Sequence, residues 1–437
     1  MPTFKSTRGS HAPLEAAVLQ GLATDGGLYM PNPLPRLGPL PGPLPGTSPQ
    51  ATFAETAAWV CPEFFAGHLA AGIAERLSRA SLDFPAPVVE VEAGVHVLEL
   101  FHGPTHAFKD VGARFMARLM AELNAASESP PPTRTVLVAT SGDTGGAVAN
   151  AFHGLAGLRV IVLFPSQGIS PRQRRQMTTL GDNITAVAVR GSFDDCQRLT
   201  KEAFATERLR DAYGLTSANS INVARLLPQA FYYVHAAATL GTSPRFVVPC
   251  GNLGNLCAGL LAYRAGMPAS GFLAASNVND VFSSFLRTGV AEERDSVQTV
   301  SNAMDVGRPS NLERIQWLFR DDPAALPRLV KGDTVDDVDT RACIAEVYRR
   351  TGYVLDPHAA VAYRAQERHR VDDGQPTVVL ATAHPAKFPE VVEEAIGRRV
   401  AMPEGIASVM DAEEHYIETG ATLAELETVM KRNEHHG

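Results

Sequence analysis

Within the run Phe101–Asp110, FHGPTHAFKD, a single lysine, Lys109, follows a Gly-Pro turn and opens an apolar helical pattern. A lysine at the mouth of a helix meets the positive end of the helix dipole, and the neighbouring Phe108 and Val111 withdraw water from it. Both effects destabilise the ammonium. A deprotonated amine attacks an aldehyde, so Lys109 is a candidate for Schiff-base chemistry. An aldehyde cofactor would need further sites for its other polar groups, and candidates lie downstream.

Three short apolar runs end in polar or glycine-rich signatures. TVLVAT (135–140) runs into SGDTGG, where Ser141 and Thr144 offer hydroxyls. Gly142 and Gly145 let backbone amides face a ligand, and a helix N-terminus there favours an anion such as a carboxylate. A tight strand-to-helix turn capped by Asp143 explains the same residues without a ligand. RFVVP (245–249) runs into GNLGN, in which Gly251, Asn252, Leu253, Gly254 and Asn255 can wrap a phosphate with amides and helix dipole alone. TVVLAT (377–382) runs into AHPAKF. Thr382 there can bond a ring nitrogen or merely cap the strand, and His384 and Lys387 can face a pocket or solvent. An amine, a phosphate cradle and a ring-nitrogen partner are the parts that pyridoxal 5'-phosphate requires.

Other chemistries find little support. The loops match neither the Walker pattern nor GxGxxG, and GxSxG is absent. His102 and His106 have i,i+4 spacing, but Gly103 and Pro104 between them break a helix and argue against a metal pair.

The elements that must position these residues form an alternating pattern. The three runs, with RVIVLF (159–164), ITAVAV (184–189) and GFLAAS (271–276), read as buried parallel strands with helices between most of them. This predicts an α/β architecture with doubly wound sheets, whose ligands collect beyond the carboxyl ends of strands. Residues 1–90 differ. PNPLPRLGPLPGPLPGTSP (31–49) forbids helix and reads as a polyproline-like connector on the surface. Ala51 to Arg79 returns to helical spacing, with Phe53, Trp59, Phe64, Phe65 and Leu69 as expected core. His435 and His436 belong to a polar tail expected to be disordered.

Composition sets outer limits. With 437 residues, two or three domains are expected. A net charge of −8 argues against nucleic acid or an anionic membrane as the main partner. The five cysteines are scattered without a CxxC pair, which predicts reduced thiols in the cytoplasm and no structural metal. The N-terminus lacks the apolar stretch of a signal peptide, and no window reaches 18 consecutive apolar residues.

Taken together and in order, FHGPTHAFKD, SGDTGG, GNLGN and TAHPAKF resemble the threonine synthase family of fold-type II pyridoxal-phosphate enzymes. The resemblance extends to STRG near the N-terminus, NSINVARLLPQAFYY (219–233), MDVGRPSNLER (304–314) and DPHAAVAY (356–363), and is closest to the bacterial and fungal branch with a long N-terminal segment. It implies that Lys109 carries the cofactor as a Schiff base and shuttles protons. It also implies that Asp143 approaches the cofactor's 3'-oxygen, that Gly251 to Asn255 cradle its phosphate and that Thr382 bonds its pyridine nitrogen. Ser141, Gly142 and Thr144 would hold the substrate carboxylate. Arg225, Arg308, Ser310, Asn311 and Lys387 are the candidates for the substrate phosphate, each arginine equally readable as a surface salt-bridge partner. Where family members often carry a lysine after the second strand of the small domain, this chain has PSQGISPRQRR, with Gln167 and Arg172.

The implied reaction converts O-phospho-L-homoserine and water into L-threonine and phosphate, the last step of threonine biosynthesis. Rival readings are a phospho-lyase or serine/threonine dehydratase on the same scaffold and a non-catalytic sensor of cofactor or amino acid. The implied organisation is an N-terminal subdomain (1–95), a small α/β domain (135–235) and a large cofactor domain (96–134 and 236–437), closing on substrate, with a monomer favoured over a dimer.

Overall fold

The computed structural model describes residues 3–40, 51–126, 133–140, 142–167 and 169–432. In chain order the strands are β1 (Thr3–Ser6), β2 (His11–Ala12), β3 (Tyr29–Asn32), β4 (Val88–Glu92), β5 (Val95–Glu99), β6 (Arg134–Ala139), β7 (Leu158–Pro165), β8 (Ile184–Val189), β9 (Arg245–Pro249), β10 (Gly271–Ser276), β11 (Val330–Thr334), β12 (Thr377–Ala381) and β13 (Ile417–Thr419). They form three sheets: β2-β1-β3, a six-stranded β11-β10-β9-β12-β5-β4, and a four-stranded β13-β8-β7-β6.

The six runs read as parallel strands form β6 to β10 and β12, each paired in parallel. Their residues are almost wholly buried because helices cover both faces, which is why they read as continuous apolar runs. Only β4 runs antiparallel in the six-stranded sheet, at its edge. The helix Phe53–Phe64 is set by a capping box between Thr52 and Glu55 and buries Phe53 and Phe64 in the main core. Of the proline-rich connector, Leu34, Leu37 and Leu40 pack against the main core, and the Leu37 amide donates to the Ala265 carbonyl, just past the helix Gly254–Arg264, at 2.7 Å. The stretch 41–49 lies outside the described residues, as do His435 and His436.

Sheet membership differs from the sequence boundaries in two places. β4 falls inside the segment assigned to the N-terminal subdomain, but it pairs with β5 and so belongs to the six-stranded layer. β13 falls inside the segment assigned to the large domain. It pairs with β8, and the helix Leu423–Arg432 beyond it buries Leu426, Val429 and Met430 in the core of the four-stranded layer. A three-residue strand carries too little pattern to be seen in sequence.

The strand order places the chemistry. β9, β12 and β5 are adjacent and parallel, so the loops after Pro249, Ala381 and Glu99 emerge side by side on one edge. These loops carry GNLGN, Thr382 and Lys109.

Candidate active site

Lys109 begins the helix Lys109–Ala125, whose N-terminus has no side-chain cap. The loop before it is sewn to the chain beyond β12: the Phe108 amide donates to the Thr382 carbonyl at 2.9 Å, and Ala107 bridges Ala383. Lys109 and Thr382 are thereby fixed next to one another. The residue keeps some exposed surface, but its amine lies deep, 5.8 Å from the centre of the Phe108 ring. Burial pushes the amine down to about 8; the Asp143 carboxylate opposes this shift, and the charges of Arg225 and Lys387 reinforce it.

Asp143 and Lys387 meet from different sheets. Asp143 opens the helix Asp143–Phe152 after β6, Lys387 lies in the short turn after β12, and Lys387 Nζ sits 2.6 Å from Asp143 Oδ1 with both side chains buried. Gln173 Nε2 donates to the same carboxylate at 3.1 Å. Burial alone would raise the Asp143 carboxyl, but the ammonium groups of Lys387 and Lys109 hold it well below the usual carboxylate range. Lys387 also donates to the Thr105 carbonyl at 2.9 Å, as does Gln176 Nε2 at 3.1 Å. Thr105 donates its amide and hydroxyl to Asp110 at 2.8 and 2.7 Å. Burial pushes the Asp110 carboxyl up to about 6 despite those two bonds. Any Cβ at residue 103 would stand 2.5 Å from Asp110 Oδ2, which accounts for Gly103.

The 251–255 loop is built from neutral groups. The helix Gly254–Arg264 starts after Leu253, which holds φ +62, and its N-terminus has no side-chain cap. A Cβ at Gly251 would lie 2.9 Å from both the Ala303 carbonyl oxygen and Met304 Cα, so only glycine lets the chain pass there. Asn252 Oδ1 accepts from the Ser310 amide and hydroxyl at 2.6 and 3.0 Å. Its carbonyl accepts from Asn311 Nδ2 at 2.9 Å. Asn255 Oδ1 accepts from the hydroxyls of Tyr232 and Tyr233 at 2.6 and 2.7 Å. Its Nδ2 is a buried donor with no partner among the described residues. An uncapped helix start, a backbone that excludes side chains and an orphan donor are what a phosphate would complete. With the lowered amine of Lys109 and the adjacent Thr382, the residues present fit pyridoxal phosphate.

The structure therefore brings Lys109, Asp143, Thr382, Lys387 and Arg225 into one neighbourhood. Arg225 is buried, donates Nη1 to the Ala218 carbonyl at 2.7 Å and leaves Nε without a partner among the described residues. Thr144 is half-buried in the first turn of the Asp143 helix. Ser141 lies outside the described residues. In three places the structure gives other contacts than expected, and at a fourth, Arg172, it supplies one where the sequence left the role open. The amides of Gly142 and Gly145 do not face open space but donate to Thr140 Oγ1 at 2.9 and 2.8 Å, because that hydroxyl caps the turn from within. Ser310 and Asn311 hold Asn252 and so brace the loop. Arg308 is 68% exposed and pairs with Glu293 and Asp295, like an ordinary surface arginine. Arg172 donates to the Ala386 carbonyl and helps fasten the Lys387 turn.

Sequence reasoning missed Thr105, Asp110, Gln173, Gln176 and the two tyrosines. Thr105 and Asp110 lie inside the FHGPTHAFKD run itself, where a buried acid beside the lysine was a readable signal. Tyr232 and Tyr233 lie in the 219–233 run, but nothing local points them at Asn255.

Comparison with known proteins agrees along the whole length. Residues 81–383 match the pyridoxal-phosphate dependent enzyme family, 3–78 the threonine synthase N terminus and 359–430 the threonine synthase C-terminal region. The chain is 44% identical over 399 residues to threonine synthase of Escherichia coli strain K12, an alignment covering 90% of this chain and 91% of that one. Among solved structures, PLP-bound threonine synthase from Brucella melitensis superposes with a TM-score of 0.90 at 36% identity, covering 100% of this chain and 99% of that one. The yeast enzyme gives 0.89 at 30% identity, covering 100% and 99%. The amine, the cradle and the three matched regions lead to one assignment: this chain belongs to the threonine synthase family of pyridoxal-phosphate-dependent enzymes.

Proposed function

We infer that the chain converts O-phospho-L-homoserine and water into L-threonine and phosphate with pyridoxal 5'-phosphate as cofactor, and we propose Lys109 as its proton carrier. The observation that carries this reading is a deeply placed lysine amine brought down to about 8, fixed beside Thr382 at the edge shared by three strand-end loops. The bound cofactor supplies an electron sink for negative charge next to the substrate's amino-bearing carbon. Lys109 Nζ is poised near neutral pH to take the Cα proton and then a Cβ proton. Once the γ-phosphate has left, the same nitrogen returns one proton to Cγ, which opens Cβ to water, and after water has added there it returns the other to Cα.

The remaining roles follow the family resemblance. Gly251 to Asn255 hold the cofactor phosphate, with Asn255 Nδ2 as the donor left over for it. Thr382 faces the pyridine nitrogen, and Asp143, kept ionised by Lys387, is assigned to the 3'-oxygen side. Ser141 and Thr144 take the substrate carboxylate, a task the engaged amide of Gly142 leaves to them. Arg225 is the foremost partner for the substrate phosphate, because its Nε is a buried donor without a partner among the described residues, and Lys387 stands behind it. We further propose that the four- and six-stranded layers move as two lobes, close on substrate and exclude water until the phosphate has left. A monomer in the cytoplasm is the simplest setting for this chemistry.

Steady-state turnover of O-phospho-L-homoserine, with threonine and 2-oxobutanoate both quantified, tests the reading. Threonine is the expected product. 2-Oxobutanoate in its place would assign a phospho-lyase, and purified protein without the absorbance of a lysine Schiff base would assign a sensor.

A further inference from the structure

Behind the 251–255 loop lies a charge that the roles above leave unused. Arg314, in the helix Leu312–Leu318, is fully buried. Its guanidinium donates only to neutral oxygens: Nε and Nη2 to the Tyr29 carbonyl at 3.2 and 3.1 Å, Nη1 to the Ser220 carbonyl at 3.0 Å and Asn311 Oδ1 at 2.7 Å, and Nη2 to the Ile221 carbonyl at 2.6 Å. Burial pushes it down to about 10, so it stays charged at neutral pH. The adjacent acid, Glu313, is turned to Arg8 at 3.1 Å and Thr7 at 2.5 Å. Carbonyl dipoles solvate a cation but do not neutralise it, and Glu313, engaged with Arg8, offsets the charge of Arg314 only in part, so a further anion close by is favoured.

The surroundings direct this charge toward the loop. Asn311 accepts from Arg314 through Oδ1 and donates through Nδ2 to the Asn252 carbonyl, so the guanidinium polarises an amide aimed at the loop backbone. On the other flank, Asn252 Nδ2 donates to Ser220 Oγ at 2.6 Å, and the Ser220 carbonyl is itself held by Arg314. One arginine thus fastens two of the three residues bonded to Asn252, Ser310 being the third.

We propose that Arg314 is the buried counter-charge of the cofactor phosphate, a positioning residue that acts through Asn311 and Ser220 and favours a dianion in the 251–255 loop without touching it. This rests on the assignment of that loop to the cofactor phosphate.

The test compares pyridoxal phosphate with pyridoxal, which has the same aldehyde and no phosphate. Binding to the full-length chain stripped of cofactor is followed by Schiff-base absorbance in wild type, Arg314→Gln, Arg314→Lys and Asn255→Ala. Arg314→Gln is expected to weaken pyridoxal phosphate by about tenfold or more and pyridoxal by less than about twofold, since only the former carries the charge that Arg314 complements. Arg314→Lys, which keeps the charge and loses the fork, is expected to recover part of the phosphate-specific affinity. Equal weakening of both aldehydes by Arg314→Gln, or Lys behaving no better than Gln, would reduce Arg314 to scaffolding and overturn the proposal. If Asn255→Ala leaves the affinity ratio of the two aldehydes unchanged, the cradle assignment fails and takes the proposal with it; if it lowers the ratio and Arg314→Gln does not, the cradle stands and the proposal alone falls. Should Arg314→Gln not fold, the phosphorus resonance of the wild-type holoenzyme decides. It is expected to stay constant as pH crosses the phosphate's ordinary pKa of about 6, and a shift centred there would overturn the proposal.

Discussion

At the Lys109 end of the site the buried groups are titratable, Lys387 paired with Asp143 at 2.6 Å and Lys109 and Arg225 near by; at the 251–255 end the contacts are amides, hydroxyls and carbonyls, with one guanidinium set behind them. On the roles proposed above, the contrast follows from what each end handles. A group that gains and loses a proton in every cycle needs charges that can rebalance around it; burial brings the Lys109 amine within reach of neutral pH, with Asp143 opposing and Arg225 and Lys387 reinforcing the shift. A permanent dianion needs the reverse, fixed donors that do not titrate and do not move.

Each end can be broken separately. Lys109→Ala should abolish the Schiff-base absorbance and lower turnover by about four orders of magnitude or more, measured with substrate saturating; residual turnover near the wild-type rate would remove Lys109 from the mechanism. Asp143→Asn leaves the Lys387 ammonium buried without its carboxylate and should destabilise the protein by about 3–5 kcal/mol in denaturant unfolding, with Asp143→Asn/Lys387→Met recovering part of the loss. At the neutral end, Gly251→Ala forces a Cβ against Ala303 and Met304, so about 1–3 kcal/mol of strain should appear as weaker pyridoxal phosphate binding.

The pH response should separate the ends as well. Because the Lys109 amine is lowered to about 8 from an ordinary lysine value, its reactive neutral form is scarce below that pH and dominant above it. The rate at which stripped protein captures pyridoxal phosphate should rise about tenfold per pH unit below 8 and level off above. The linked stability has the same sign: charging the buried amine penalises the fold below about pH 8, and the penalty fades as pH rises to the unfolded lysine value. The smallest effect is expected at Arg308, whose exposed pairs with Glu293 and Asp295 should contribute under about 1 kcal/mol. A tenfold rise in KM for Arg308→Ala would show that this arginine swings in on substrate.

Much of this was legible in the sequence wherever burial on two faces or a strand-to-helix turn left a mark. TVLVAT and TVVLAT lie within a residue of β6 and β12, because a strand covered by helices on both sides is apolar at every position. β11, reading VKGDT, and β13, reading IET, sit at sheet edges, are only partly buried and lack that signature. In the site, Lys109 was visible because its chemistry and its turn are local. The support for GNLGN was not: Asn252 leans on Ser310 and Asn311, and Arg314 reaches back to Tyr29, partners that only the folded chain brings together. The same distance hid the engagement of Gly142 and Gly145, since a donor free to meet a ligand and one already spent on Thr140 look alike in sequence.

The pairing of β13 with β8 ties the fate of the four-stranded layer to the order of synthesis. β8 is made by residue 189, yet its outer edge stays open until residues 417–419 have emerged and the helix Leu423–Arg432 can fold over it. Until then the β8 edge presents a row of unpaired amides and carbonyls, a template for foreign strands. A chain cut short after the turn Pro385–Lys387 would carry every residue assigned to the chemistry and still leave that edge uncovered.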